Sequence, residues 1–274
     1  MTAVPTLQFL RVQTTMPKLA ANLTLMFNEV AFTERFAAAA RAGFKGVEFL
    51  FPYEYDKNLL REKLNENKLT LALHNMPAGD WAGGERGIGC HSERVEEFKA
   101  GVERAIDYAT ALGCTQLNCL AGLCTGTRDP AAARATFISN LQYAAPRLKA
   151  AGIKLLIEAI NTRDIPGFFL TNTAQAIAII NEVGSDNLYF QYDIYHMQIM
   201  EGDLAPTIEK HLPLIPHMQL ADTPGRHEPG TGEINFDFLL PHLDSIGYCG
   251  WIGCEYKPAT TTEAGLGWTK KYLK

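Results

Sequence analysis

With 274 residues, 47% of them apolar and 20% charged, the chain has the composition of an ordinary globular protein with room for a sizeable core. Its formal charge of −5 argues against nucleic acid, which asks for a basic face. No stretch approaches the roughly 20 apolar residues of a membrane helix.

The N-terminal stretch Met1–Pro17 lacks both the apolar core and the cleavage site of a secretory signal. The first strand-like pattern begins at Leu19, so residues 1–15 are expected to be an extension outside the fold, with one domain over 16–274. From there one unit recurs: a helical stretch ends near a glycine, a short apolar run follows, and that run ends on a polar residue. After the strand Leu19–Leu23, helix Phe32–Ala42 stops at Gly43 and strand Gly46–Leu50 follows. Leu69–His74 reads as the third strand. Helix Val95–Leu112 stops at Gly113 ahead of strand Gln116–Leu120, and helix Ala131–Ala151 stops at Gly152 ahead of Ile153–Glu158. Helix Ala174–Val183 stops at Gly184 ahead of Leu188–Asp193; Ile215–Leu220 is a seventh strand. Helix Phe236–Ile246 stops at Gly247 and Trp251–Glu255 closes the series.

Apolar runs of this length suit strands buried on both faces of a parallel sheet. Eight of them alternating with helices, at a period of roughly 30 residues, predict a closed single (β/α)8 TIM barrel. No glycine-rich GxGxxG or phosphate-binding loop follows any strand, which removes the main support for a doubly wound nucleotide fold. The six cysteines (Cys90, Cys114, Cys119, Cys124, Cys249, Cys254) include no CxxC pair and read as reduced thiols, which predicts a cytoplasmic setting.

Barrel enzymes carry their working groups at the C-terminal ends of the strands. Those ends here are Glu48, His74, Asn118, Glu158, Asp193, Gln219 and Glu255. One charged strand end is commonly just solvated. Four oxygen-bearing side chains after strands five to eight would share one mouth, where carboxylates must share a proton or a cation. Glu158, Asp193, Gln219 and Glu255 offer hard oxygen ligands, so Mg²⁺ or Mn²⁺ is the expected metal. His196, three residues beyond Asp193, is placed to hydrogen-bond a substrate oxygen or merely to cap a loop. His74 with Asn75 is equally readable as site wall or as structure. Arg226, in the proline- and glycine-rich stretch Ala221–Glu233, is a candidate clamp for a carboxylate. Lys257 is a second candidate cation. Glu85 and Arg86, in the loop Gly83–Gly87, either reach the mouth or lie on the surface.

The segments FKGVEFLFPYEYD, HNMPAGDWAGGERGI, IEAINTRDIPGF, QYDIYHMQIMEGDL, QLADTPGRHEPGTGEINF and GWIGCEYKP together resemble the hydroxypyruvate isomerase family. That family belongs to the xylose-isomerase-like barrel superfamily. The likeness runs from Met16 to the C-terminus, and a close relative, the 2-oxo-tetronate isomerase group, shares the strand-seven and strand-eight motifs. The resemblance implies that Glu158 and Glu255 are a catalytic pair and that Glu158, Asp193, Gln219 and Glu255 hold the metal. Related sugar epimerases carry histidine where Gln219 stands, which implies a weaker hold on the metal here. The implied reaction converts hydroxypyruvate to tartronate semialdehyde through an enediolate and needs no organic cofactor. The implied partner is a small hydroxy-oxo acid, with no nucleic acid and no membrane; a homo-oligomer is compatible with the pattern. The alternatives are a 2-oxo-tetronate isomerase, a sugar epimerase on the same barrel, and a non-catalytic barrel. A multi-zinc nuclease would want a histidine-rich cluster and a basic face, which seven scattered histidines and a negative charge do not supply.

Overall fold

A computed structural model describes residues 17–273; the extension expected over residues 1–15 lies outside them. Eight parallel strands pair in sequence order and close between the first and the last. They are β1 (Lys18–Asn22), β2 (Gly46–Phe49), β3 (Thr70–Asn75), β4 (Gln116–Cys119), β5 (Lys154–Glu158), β6 (Leu188–Asp193), β7 (His217–Leu220) and β8 (Trp251–Cys254). Each falls within two residues of its sequence expectation.

The helices form the outer ring: α1 (Phe32–Arg41), α2 (Lys57–Glu66), α3 (Val95–Leu112), α4 (Pro130–Ala150), α5 (Thr173–Val183), α6 (Ile194–Met200), α7 (Leu204–His211), α8 (Phe236–Ser245) and α9 (Thr262–Gly265). Their sequence logic is local. On α3, Phe98, Val102, Ala105, Ala109 and Leu112 recur at helical spacing and are buried against the barrel. At its end Gly113 takes φ +67°, a left-handed backbone that costs other residues a Cβ clash. Asp56, Asp129 and Asn172 cap α2, α4 and α5 by accepting from first-turn N–H groups, a device worth about 1 kcal/mol each. The helices α2, α6, α7 and α9 were not anticipated. Only Leu60 and Leu64 of α2 are buried, so its apolar signal is weak. Helix α6 starts at the residue after β6, leaving no loop to mark it.

The barrel interior is polar where branched aliphatic layers are usual. Glu48 is fully enclosed and its carboxylate accepts from Asn22 Nδ2 (2.9 Å), from Gln219 Nε2 (2.8 Å) and from His217 Nε2 (2.8 Å). Gln116 donates to His217 Nδ1 at 3.0 Å, which leaves the imidazole proton on Nε2, facing Glu48. A Cβ at Gly253 would collide with the Glu48 carboxylate, so β8 needs glycine there to admit it. This network forms the floor beneath the C-terminal mouth.

Candidate active site

Three carboxylates rise from that floor. Glu158, the last residue of β5, accepts from Asn118 Nδ2 at 2.7 Å, and Asn118 also donates to Asn75 Oδ1 at 3.1 Å. Asp193 ends β6 and caps α6: its Oδ1 accepts from the backbone N–H groups of Tyr195 (2.8 Å) and His196 (3.3 Å). Its Oδ2 is buried with no hydrogen-bond partner among the described residues. Glu255, just past β8, accepts from Arg226 at 2.7 Å, from Asn22 at 3.3 Å and from Gln219.

The first turn of α6 brings in His196. Asn161 donates to its Nδ1 at 2.6 Å, while Asn161 Oδ1 is itself taken by the N–H of Asp164. The ring proton therefore sits on Nε2, which lies 3.4 Å from Asp193 and 3.9 Å from Glu158. Burial, helped by the nearby Arg226 charge, holds the His196 pKa well below its usual value, so the ring is neutral.

Arg226 enters from the loop between β7 and α8. Asp222 organises that loop by accepting from the N–H groups of Thr223, Gly230, Gly232 and Ile234. Arg226 adopts φ +55°, and its carbonyl accepts from the Lys257 N–H at 2.9 Å. Its guanidinium sits 5.0 Å from the centre of the Tyr195 ring and 3.8 Å from Asp164. Burial opposes the charge, but Glu255, Asp193 and Asp164 together keep its pKa above the ordinary arginine value.

Crowding works the other way on the acids. Burial first, then Glu255 and Asp193, pushes Glu158 well above the carboxylate range. Burial raises Glu255 to about 8 even with Arg226 beside it. Burial likewise raises Asp193. Asp193 is buried beside His196, while Glu158 and Glu255 line a cavity of about 160 Å³ whose polar lining also includes Asn75, His196 and Arg226. Its other side is apolar, from residues such as Leu50, Leu120 and Ile160.

Of the residues singled out from sequence, Glu158, Asp193, His196, Arg226 and Glu255 come together. Gln219 borders them but turns its N–H₂ group to Glu48 and Glu255, its oxygen being held by Gln191 at 2.6 Å. His74 does not reach the cavity. Alternation along β3 sends Asn75 inward and His74 outward, where its ring lies parallel to Phe49 and beside Tyr53. Lys257 is exposed and lines a neighbouring groove with Glu29 and Thr262. Glu85 pairs with Arg94, and Arg86 stacks on Trp81 at 4.4 Å; neither lines the cavity. Sequence reasoning missed Asn161, Asp164 and Trp81, which reach the site from loops that no periodicity traces.

A closed parallel barrel with acids, a neutral histidine and an arginine gathered in its C-terminal mouth has the make-up of a barrel enzyme, with these groups where such enzymes carry their working residues. Residues 36–272 match the family model described as xylose isomerase-like TIM barrel. The chain is 53% identical over 257 residues to a hydroxypyruvate isomerase of Escherichia coli, covering 94% of this chain and all of that one. It is 49% identical to a 2-oxo-tetronate isomerase of Cupriavidus necator, covering 94% and 99%. A solved structure described as an AP endonuclease, family 2, from Brucella melitensis superposes with a TM-score of 0.93 at 47% identity, over 94% of this chain and all of that one. The chain belongs to the xylose isomerase-like TIM barrel family, within the group formed by the hydroxypyruvate isomerases and their 2-oxo-tetronate relatives.

Proposed function

We propose that the protein interconverts hydroxypyruvate and 2-hydroxy-3-oxopropanoate (tartronate semialdehyde). The observation that carries this is the placement of Glu158 and Glu255 on one small cavity with Arg226 between the acids and solvent-side loops. The relatives named for this reaction and for its four-carbon counterpart support the substrate class.

The reaction moves a proton between adjacent carbons. A carboxylate removes a proton from C3, acidified by the C2 carbonyl, and an enediolate forms; a carboxylic acid then returns a proton at C2. The C3 hydroxyl loses its proton to become the aldehyde, and the C2 oxygen gains one. Two carboxyl groups with separated proton affinities suit these roles. Glu255 is held toward the anion by Arg226, Gln219 and Asn22, whereas Glu158 accepts from Asn118. Glu255 is accordingly the base and Glu158 the acid in this direction. His196 Nε2–H donates to a substrate oxygen and needs no change of charge to do so. Arg226 keeps one N–H on Glu255 and turns its remaining N–H groups to the substrate carboxylate in a charge-assisted contact.

The donor set fits a hard divalent ion. Carboxylate oxygens of Glu158 and Asp193 lie within 4.8 Å of one another, and among the described residues Asp193 Oδ2 is a buried acceptor without a donor. Glu158, Asp193, Glu255 and, once its amide turns, Gln219 would hold Mg²⁺ or Mn²⁺. Such an ion supplies Lewis-acid stabilisation of negative charge on the substrate oxygens.

Specificity constants for hydroxypyruvate, 2-oxo-tetronate and xylose test the reading. Hydroxypyruvate is expected to lead. A lead for 2-oxo-tetronate would change the acid while keeping the chemistry, and a lead for xylose would overturn the hydroxy-oxo-acid class.

A further inference from the structure

The cavity is divided by chemistry. Reacting groups occupy one side; the facing wall is Leu25, Leu50, Trp81, Leu120, Ile160 and Ile165. A substrate that presents its carboxylate to Arg226 and its reacting carbons to the glutamates directs any further carbons at that wall. Each extra hydroxylated carbon then places a hydroxyl against a mostly aliphatic wall, whose polar hydrogens are limited to the Trp81 indole N–H and the Thr24 hydroxyl. Size acts in the same direction. The cavity measures about 160 Å³, close to the engineered cavity of about 150 Å³ that holds one benzene molecule. A three-carbon acid is of that scale, and a five-carbon homologue exceeds it.

Two of the wall residues, Leu120 after β4 and Ile160, are buried in the core cluster, and Leu25, Leu50, Ile165 and Trp81 are half-buried. Trp81 is the largest of these. It stands on the long loop between β3 and α3, and that loop supports its own shape. Glu85 accepts from the Asp80 N–H and pairs with Arg94, while Gly87 N–H donates to the Ala78 carbonyl at 3.0 Å. The indole is held between Phe51, at 5.0 Å between ring centres, and the Arg86 guanidinium at 4.4 Å. Arg86 also donates to the Trp81 carbonyl at 3.0 Å. The side chain is thus a fixed wall panel mounted outside the barrel, which can be trimmed without opening the core.

Resting on the reaction proposed above, we infer that Trp81 is a specificity-determining residue that sets the upper limit on substrate chain length. It admits short hydroxy-oxo acids and excludes longer ones by occupying the space their terminal carbons need. No charge or proton of Trp81 takes part in the chemistry.

The test compares hydroxypyruvate with the five-carbon 2-oxo aldonate on wild type, Trp81→Phe and Trp81→Ala. The ratio of specific constants is the readout, because a general loosening of the site lowers both constants and leaves their ratio in place. One methylene in a shaped pocket is worth about 10- to 200-fold in discrimination, so wild type should favour the three-carbon acid by at least about 100-fold. Trp81→Ala should narrow that gap by at least about 10-fold, with Trp81→Phe between. Trp81→Phe keeps an aromatic ring against Phe51 and reports even where Trp81→Ala disturbs the loop. A gap unchanged within about twofold in both variants, measured against the same magnitude, overturns the assignment to Trp81 alone. Wild type accepting the five-carbon acid as readily as hydroxypyruvate overturns the limit itself. Wild type leaving hydroxypyruvate unconverted overturns the reaction, and the inference falls with it.

Discussion

Arg226 donates to Glu255 Oε1 at 2.7 Å from a left-handed backbone position that the Lys257 N–H secures. Both residues line the cavity, and the proposed reaction places the substrate carboxylate on the arginine. Losing a buried charge-assisted contact to an anion typically costs about 2–5 kcal/mol. Arg226→Met is therefore expected to lower kcat/KM for hydroxypyruvate by roughly 30-fold or more. Steady-state kinetics beside a melting curve check this. Unchanged kinetics in a folded variant would remove Arg226 from substrate binding.

The raised acids predict how a divalent ion affects stability. Glu255 sits at about 8, and Glu158 and Asp193 are raised as well, all by burial before any other cause. A carboxyl whose folded pKa exceeds its unfolded value leaves the native state binding more protons. Stability is then full below the unfolded pKa and falls as pH rises toward the folded one. The metal-free protein should lose stability from about pH 4.5 to about pH 8, because over that range the unfolded carboxyls ionise freely while the buried ones hold their protons. Mg²⁺ or Mn²⁺ bound to the ionised acids removes that penalty. The rise in Tm on adding either ion is expected to be larger at about pH 8 than at about pH 5.5. No rise at either pH would show that these residues do not hold such an ion.

Two residues that looked functional in sequence should prove dispensable for turnover. His74 faces the helix layer with Nε2 unpartnered, and burial lowers its pKa to about 4, so it is a neutral packing group. Lys257 contributes its backbone rather than its ammonium. His74→Leu and Lys257→Met are each expected to keep kcat/KM within about threefold, the range of ordinary packing and surface changes. A loss of about 10²-fold in either would restore it to the site.

These two cases show what sequence can and cannot specify here. Five of the eight strands were legible because an apolar run follows a helix-ending glycine, and the other three, β1, β3 and β7, from their apolar runs alone. Glu158, Asp193 and Glu255 were legible because a carboxylate at a strand end has one mouth to enter. His74 and Asn75 are adjacent and both polar, and only the phase of the pleat decides which points inward. Lys257 follows β8 by three residues, where the chain has left the sheet to hold the Arg226 loop. Asn161, Asp164 and Trp81 depend on loop paths, and the buried Glu48–His217 contact joins residues far apart in the chain.

That contact carries its own prediction. Glu48 accepts from three buried donors, so Glu48→Ala strands the His217 N–H and leaves Asn22 and Gln219 with Glu255 alone. A buried unsatisfied polar group costs about 1–3 kcal/mol, and the variant should lose at least about 1 kcal/mol in denaturant unfolding. Glu48→Gln, which can still accept through its amide oxygen, should recover part of the loss. Equal stability of Glu48→Ala and wild type would mean that the interior network rearranges freely.

The central claim is that Glu158 and Glu255 move the proton. It is tested most directly by incubating hydroxypyruvate with the enzyme in deuterium oxide and following label at C2 and C3 by NMR. Wild type is expected to introduce solvent deuterium as the two acids interconvert. Glu158→Gln and Glu255→Gln should each slow that exchange by at least about 10²-fold, the scale of a lost acid–base group, while remaining folded. Near-normal exchange in either folded variant would contradict the assignment of that glutamate.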